Sequence, residues 1–245
     1  MKKQRILISA AVLAVLLVPS ILYFLLTSGE HNFSTPPYYG PRYAVEVVKK
    51  GRTKTDTVHY TVPKFELVNQ NGQPFGSANL AGKIYVAAFF STTGGEEDNR
   101  MATLLKDIEG KILNDHRIKG KNFAIAAITT SPERDSTAIL KAYAKRLNAN
   151  DTIWNFLTGP KDTILKLGNE GFLLNELAKP APNGNVFLAH KFLLIDKEGH
   201  IRGVCNGTIL METNKMVEDI KTLYAWYARP KKGQKNIPGV EQHRD

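Results

Sequence analysis

Residues Ile84-Tyr85-Val86-Ala87-Ala88-Phe89-Phe90 form an uncharged apolar run, and the chain then turns through Ser91-Thr92-Thr93-Gly94-Gly95. Beyond the turn, Met101, Leu104, Leu105, Ile108 and Ile112 recur at helical spacing. A run with no polar alternation reads as a strand buried on both faces, and the periodicity after it reads as a helix with one core-facing stripe. The feature is therefore strand, tight turn, helix. In a redox or metal-carrying α/β domain this junction is where thiols sit, because helix N-terminal N–H groups and the macrodipole stabilise a thiolate. This chain has no thiol there.

The same pattern repeats downstream. Residues Asn122 to Thr129 make a second apolar strand, and a turn over Thr130 to Ser136 leads into a helix whose expected inner face is Ile139, Leu140, Tyr143 and Leu147. That order implies a parallel crossover. A segment Ile153 to Gly159 precedes a short helix after Pro160, and Gly171 to Gly184 reads as loose. Val186 to Asp196 and His200 to Val204 flank Lys197-Glu198-Gly199, the composition of a hairpin turn. The last helix, Thr213 to Tyr227, turns Met216, Ile220, Leu223 and Tyr227 inward. Upstream, Phe65 to Phe75 folds about Asn71-Gly72 as a hairpin, and Tyr43 to Val48 and Thr57 to Val62 read as strands.

The N-terminus sets the expected address. Met1-Lys2-Lys3-Gln4-Arg5 precedes Ile6 to Thr27, an apolar stretch of bilayer-spanning length, and the charge bias places residues 1–5 in the cytoplasm. Tyr23 to Ser28 offers no small-residue cleavage site, so the stretch is read as an uncleaved anchor and the rest as extracytoplasmic, periplasmic in a Gram-negative cell. Residues 28–56, rich in Ser, Thr, Pro and Tyr at their start, are read as a tether, 57–228 as the domain and 229–245 as a disordered basic tail. The net charge of +10 is concentrated in the anchor flank, in Lys49 to Lys54 and in the tail. Solvated linker charge accounts for it, with headgroup contact as the other reading. No aromatic residues interleave a basic face, so nucleic acid is not an expected partner. The single cysteine, Cys205, excludes an intramolecular disulfide and any dithiol mechanism.

Four segments together resemble the Sco/SenC family, membrane-anchored thioredoxin-like proteins that bind copper and help assemble cytochrome oxidase. They are the hairpin of Phe65 to Phe75 followed by Leu80-Ala81-Gly82-Lys83; Phe89-Phe90 with Thr92 and Met101; Pro132, Glu133 and Asp135; and Trp154 with Phe156-Leu157-Thr158-Gly159. The resemblance implies an α/β thioredoxin-like fold with an N-terminal β-hairpin extension, preceded by one transmembrane helix. It also implies copper as the family's cofactor, and cytochrome oxidase subunits or a Cys-bearing Sco-like relative as partners. The family's two cysteines, however, correspond to Gly94 and Asp98, and the prolines beside them to Gly95 and Asn99. Its histidine, eight residues before the Asp that closes the late hairpin strand, here Asp196, falls on Leu188, and His190 lies two residues on, on the same face of a strand.

Three candidates for a remodelled metal site follow: Asp98, His190 and Cys205, with Glu96 or Glu97 beside them. Asp98 and His190 draw a hard site for Zn(II) or Cu(II). Against it, acidic residues in a first helical turn are favoured by the macrodipole and need no metal, and a histidine at a strand end is satisfied by a backbone group or solvent. A tight turn at 197–199 would set Cys205 opposite Lys191, one residue from His190, unless a bulge shifts the register. A buried apolar role is the commoner one for a lone cysteine. Thr92 or Thr93 is the expected helix cap. No cofactor, no catalytic residue and no thiol-disulfide or peroxidase activity are expected.

Overall fold

The computed structural model describes residues 15, 17–20, 35–49, 52–118, 120–177 and 190–229. The chain divides into two compact units, Met1–Ser34 and Thr35–Asp245. In the first, Val15 and residues 17–20 are helical, and the rest of the stretch assigned to the anchor lies outside the described residues. Among the described residues no helix is long and apolar enough to cross a membrane. The tail beyond Arg229 also lies outside them.

The second unit is a mixed α/β domain. Its strands are β1 (Arg42–Lys49), β2 (Arg52–His59), β3 (Glu66–Asn69), β4 (Pro74–Gly76), β5 (Ile84–Phe90), β6 (Phe123–Thr129), β7 (Trp154–Thr158), β8 (Lys191–Ile195) and β9 (Ile201–Asn206). Its helices are α1 (Ser77–Leu80), α2 (Gly95–Asn114), α3 (Thr137–Arg146), α4 (Lys161–Lys166), α5 (Leu174–Leu177) and α6 (Leu210–Ala228). Seven strands form one sheet in the order β4-β3-β7-β6-β5-β8-β9. The three central strands β7, β6 and β5 run parallel, and β3 and β8 close them antiparallel on either side.

The uncharged run is β5, buried at every position. Alternation along it feeds two cores: Ile84, Val86, Ala88 and Phe90 join α2, α3 and α6, whereas Tyr85, Ala87 and Phe89 meet Leu67, Ile164, Phe172 and Leu174. On α2 the expected stripe of Met101, Leu104, Leu105, Ile108 and Ile112 is buried. On α3, Leu140 and Tyr143 are buried, but Ile139 is 45% exposed, because the stripe 140, 143, 147 leaves position 139 on the flank. The Asn71-Gly72 hairpin is present, with Asn69 Oδ1 accepting from the N–H groups of Asn71 and Gln73 and Gly72 in the left-handed region at φ +77°.

Upstream, the strand read over Tyr43 to Val48 is present as β1, it pairs antiparallel with β2 over Arg52–His59 rather than Thr57 to Val62, and residues 35–41 lie against the domain. Tyr39 N–H donates to Ile201 O, and Arg202 holds the Pro36 carbonyl through Nε at 3.1 Å and Nη2 at 2.6 Å. Of the two registers left open for the late hairpin, the bulged one is present: Cys205 pairs with Phe192, and Lys191 with Asn206. An irregularity between Leu194 and Ile195 shifts the ladder by one residue from what a tight turn dictates.

Candidate functional site

Parallel β5 and β6 end at two turns, 91–94 and 130–136, which lie side by side as ends of adjacent parallel strands do. Thr130 N–H donates to Phe90 O at 2.7 Å, which knits the turns together. Asp135, fully buried, accepts from the Thr92 N–H at 3.2 Å and from the hydroxyls of Thr92 and Thr129. Thr92 is thus spent on Asp135, and the N-cap of α2 is Gly94, which has no side-chain cap. The expected threonine cap is not made, because the helix starts at Gly95 and the cap position falls on Gly94, beyond both threonines.

Asp98 occupies the turn from the other side. Its Oδ1 accepts from the Ser91 N–H at 3.0 Å, and it is 7% exposed. Its carboxylate lies over Gly94: a Cβ placed there would meet Asp98 Oδ2 at 1.7 Å and Cγ at 2.3 Å. Gly94 has an ordinary φ of −78°, so it is glycine for want of space, whereas Gly95 at φ +84° is glycine for its backbone. The two positions that the resemblance assigns to thiols are therefore filled together, one by a carboxylate and the other by the room that carboxylate takes.

His190 enters β8 in the left-handed region at φ +70°, and its carbonyl accepts from Gly207 N–H at 2.7 Å. Its ring lies between two neighbouring acids of α2, with Nδ1 3.2 Å from Glu97 Oε2 and Nε2 3.6 Å from Asp98 Oδ2. Nε2 is buried and makes no hydrogen bond. Sequence reasoning placed Asp98 and His190 at one site, and the fold brings them together; Glu96 has no such contact among those described. Because the two ring nitrogens face apart, one ion can take Asp98 with Nε2 or Glu97 with Nδ1, but not all three residues at once.

Cys205 does not join this group. Its Sγ lies 4.0 Å from Met216 Sδ within the apolar cluster under α6. Burial, reinforced by the negative charge of Glu212, pushes its thiol up to about 12 from 9.0. At neutral pH the native protein should react with Ellman's reagent at least about a hundredfold more slowly than the urea-unfolded chain, because the thiolate is the nucleophile. A fast native phase would show an accessible thiolate. The sign for stability follows from the neutral form being the buried one: the contribution is complete below about 9 and is lost as pH rises towards about 12.

Asp135→Asn tests the turn. An amide offers one acceptor oxygen where the carboxylate offered two, so at least one of the donors is stranded; a loss of about 1–3 kcal/mol is expected in urea titration.

A second constellation was not read from the sequence. Asp196, Glu198 and His200 each bring a ligand atom within 4.8 Å of the others at the β8–β9 turn. Asp196 is already engaged: Oδ1 accepts from the N–H groups of Glu198 and His200, and Oδ2 pairs with buried Arg202 at 2.9 Å. Glu198 accepts from the Tyr227 hydroxyl. The Arg202 guanidinium also lies 3.9 Å from the Tyr38 ring. These groups fasten residues 36–39 rather than frame a cation, since a guanidinium already supplies the counter-charge. Asp196 before Lys-Glu-Gly was legible as a turn residue; Arg202 gave no signal in the local pattern.

A mixed sheet with a strand-turn-helix junction at the ends of its parallel strands, faced by a residue from a late hairpin, defines a thioredoxin-like domain whose thiol positions hold no sulfur. The family model described as SCO1/SenC matches residues 53–225, and the chain belongs to that family. It is 25% identical over 178 residues to the SCO1 protein homolog of Bacillus subtilis, covering 70% of this chain and 87% of that protein. The crystal structure of a SCO1/SenC family lipoprotein from Bacillus anthracis is similar with a TM-score of 0.57 at 25% identity, covering 67% of this chain and 95% of that one. Copper-bound yeast Sco1 shares the fold, with a TM-score of 0.53 at 19% identity and coverage of 71% and 98%.

Proposed function

We propose that the chain is a membrane-anchored, extracytoplasmic SCO1/SenC protein that serves cytochrome oxidase assembly through contacts with other proteins, without holding copper or exchanging a disulfide as its relatives do. The family link supports the process: one similar solved structure is BsSco, a member of the Sco family of cytochrome c oxidase assembly proteins, and yeast Sco1 has been solved with copper bound. The apolar stretch 6–27 and its basic flank support the anchor. The observation that carries the departure is the Asp98 carboxylate lying where a side chain on Gly94 would be.

The donor set does not fit a soft ion. Cu(I) is held by sulfur, and the junction offers a carboxylate and an imidazole instead. Glu97 and Asp98 on opposite nitrogens give His190 the part of a clasp that ties the entry of β8 to α2. Partners that fit this reading are an oxidase subunit or a Cys-bearing relative to which the domain presents this closed face.

A second reading is a hard-metal site of Asp98 and His190, favoured by their 3.6 Å spacing and by the unbonded Nε2. It supplies two protein ligands where a structural zinc takes four. Cu(I) and Zn(II) titrations of the wild type, His190→Ala and Asp98→Ala, alongside complementation of a deletion strain scored by oxidase activity, separate the readings. Protein contact expects no tight binding and restoration of oxidase activity by His190→Ala. Tight binding lost in both variants, with failed complementation by folded His190→Ala, would replace it with the metal site.

A further inference from the structure

A cleft of about 480 Å³ opens at the end of the sheet opposite the turns 91–94 and 130–136. Tyr85, at the start of β5, lines it, five residues and about 17 Å along the strand from Phe90. Its walls are the segment Val62-Pro63-Lys64, the stretch Leu80-Ala81-Gly82 at the end of α1, and the β8–β9 turn. These walls are braced by backbone hydrogen bonds: Val62 N–H donates to Gly199 O at 2.9 Å, Ser77 N–H to Phe65 O at 3.0 Å and Lys83 N–H to Leu80 O at 3.0 Å. The volume is that of a small-molecule site, and braced walls make it a preformed one.

The polar groups of the cleft divide into spent and unspent. Asp196 pairs with Arg202 and accepts from two backbone N–H groups, Glu198 accepts from the Tyr227 hydroxyl, and the Lys197 ammonium lies 5.0 Å from the Tyr227 ring. Two groups find no partner among the described residues, the Lys64 ammonium and the Tyr85 hydroxyl. Tyr85 is 5% exposed, and a phenylalanine would fill the same core position without stranding a hydroxyl. Burial and the negative charge of Asp196 hold the phenol proton on, so this hydroxyl is a donor. Ser77 Oγ already accepts from Phe65 N–H and keeps its own O–H to give. Unspent donors, one of them cationic, call for an anion, and Val62, Pro63, Leu80 and Ala81 offer apolar surface beside them.

We propose that this cleft binds a small carboxylate with a short apolar body, its oxygens accepting from the Tyr85 hydroxyl and the Lys64 ammonium and its body lying against Val62, Pro63, Leu80 and Ala81. The assignment is independent of the function proposed above, because no residue of the cleft belongs to the Asp98–His190 junction.

The test uses the full chain in nanodiscs, labelled with [ζ-13C]tyrosine, with 4-fluorobenzoate as the probe and 4-fluorobenzylammonium as its opposite in charge. The Tyr85 Cζ resonance is assigned by its loss in Tyr85→Phe. It should shift saturably with 4-fluorobenzoate, with a Kd of about 1 mM or below. Affinities of the variants are read from the 19F line width of the probe over empty discs. Tyr85→Phe should weaken binding by about tenfold, and Lys64→Gln by about threefold, less because its exposed head is solvated. Lys141→Gln, on the exposed face of α3, should bind as the wild type does. A Tyr85 Cζ that does not move would overturn the proposal, and so would equal affinity in a Tyr85→Phe chain with wild-type melting. Tighter binding of 4-fluorobenzylammonium would overturn it by assigning the cleft to a cation. A loss in Lys141→Gln equal to that in Lys64→Gln would do so by showing a general charge effect.

Discussion

Gly94→Ala should be less stable than the wild type by about 1–3 kcal/mol in urea titration, an overpacking cost, and Asp98→Ala in the same chain should remove most of that loss. The reason is local. At φ −78° an alanine is free of backbone strain at position 94, so the whole penalty comes from the Asp98 carboxylate 1.7 Å from the new Cβ. Equal losses with and without Asp98 would mean that the glycine serves the turn in some other way. The same geometry makes a positive prediction. Gly94→Cys alone should behave like Gly94→Ala and bind copper poorly, whereas Gly94→Cys with Asp98→Cys should acquire Cu(I) binding that is lost again on His190→Ala. A folded double variant that ignores Cu(I) would show that His190 is not placed for the task.

Arg202→Ala should be the most damaging single substitution outside the cores, at about 3–5 kcal/mol, because it leaves buried Asp196 without its counter-charge. For a domain of this size the melting temperature should fall by on the order of 10 °C. The change also frees the carbonyl of Pro36, so limited proteolysis should cut within residues 35–41 before the core opens. Arg202→Lys keeps the charge without the planar fork and should fall between the two. Wild-type melting for Arg202→Ala would mean that the pair contributes nothing net.

The sheet and its helices were legible because their signals are periodic: β5 and β6 are unbroken apolar runs, and α2 and α6 carry one stripe each. The Asn71-Gly72 turn was legible because its residues are the ones such a turn demands. What the sequence concealed depends on partners far away along the chain. Thr92 read as a cap because local rules favour it, but its hydroxyl meets Asp135, forty-three residues on. The start of the tether read as an extended connection because Pro, Ser and Tyr give no period, and nothing in it marked Pro36 as the residue that Arg202 reaches back 166 residues to hold. At the site, the substitution of both thiols was plain; that the two replacements occupy one volume was not, since spacing alone does not show where a carboxylate folds. The register of Cys205 slipped by one residue because a bulge leaves no mark in composition.

The grip on Pro36 also decides where the domain begins. Sequence pattern alone starts it at residue 57, but Arg202, buried beside Asp196, fastens the backbone twenty-one residues earlier. A truncation starting at residue 57 would therefore strip the guanidinium of the Pro36 carbonyl that its Nε and Nη2 hold, and would unsettle from within a domain whose sheet it leaves untouched.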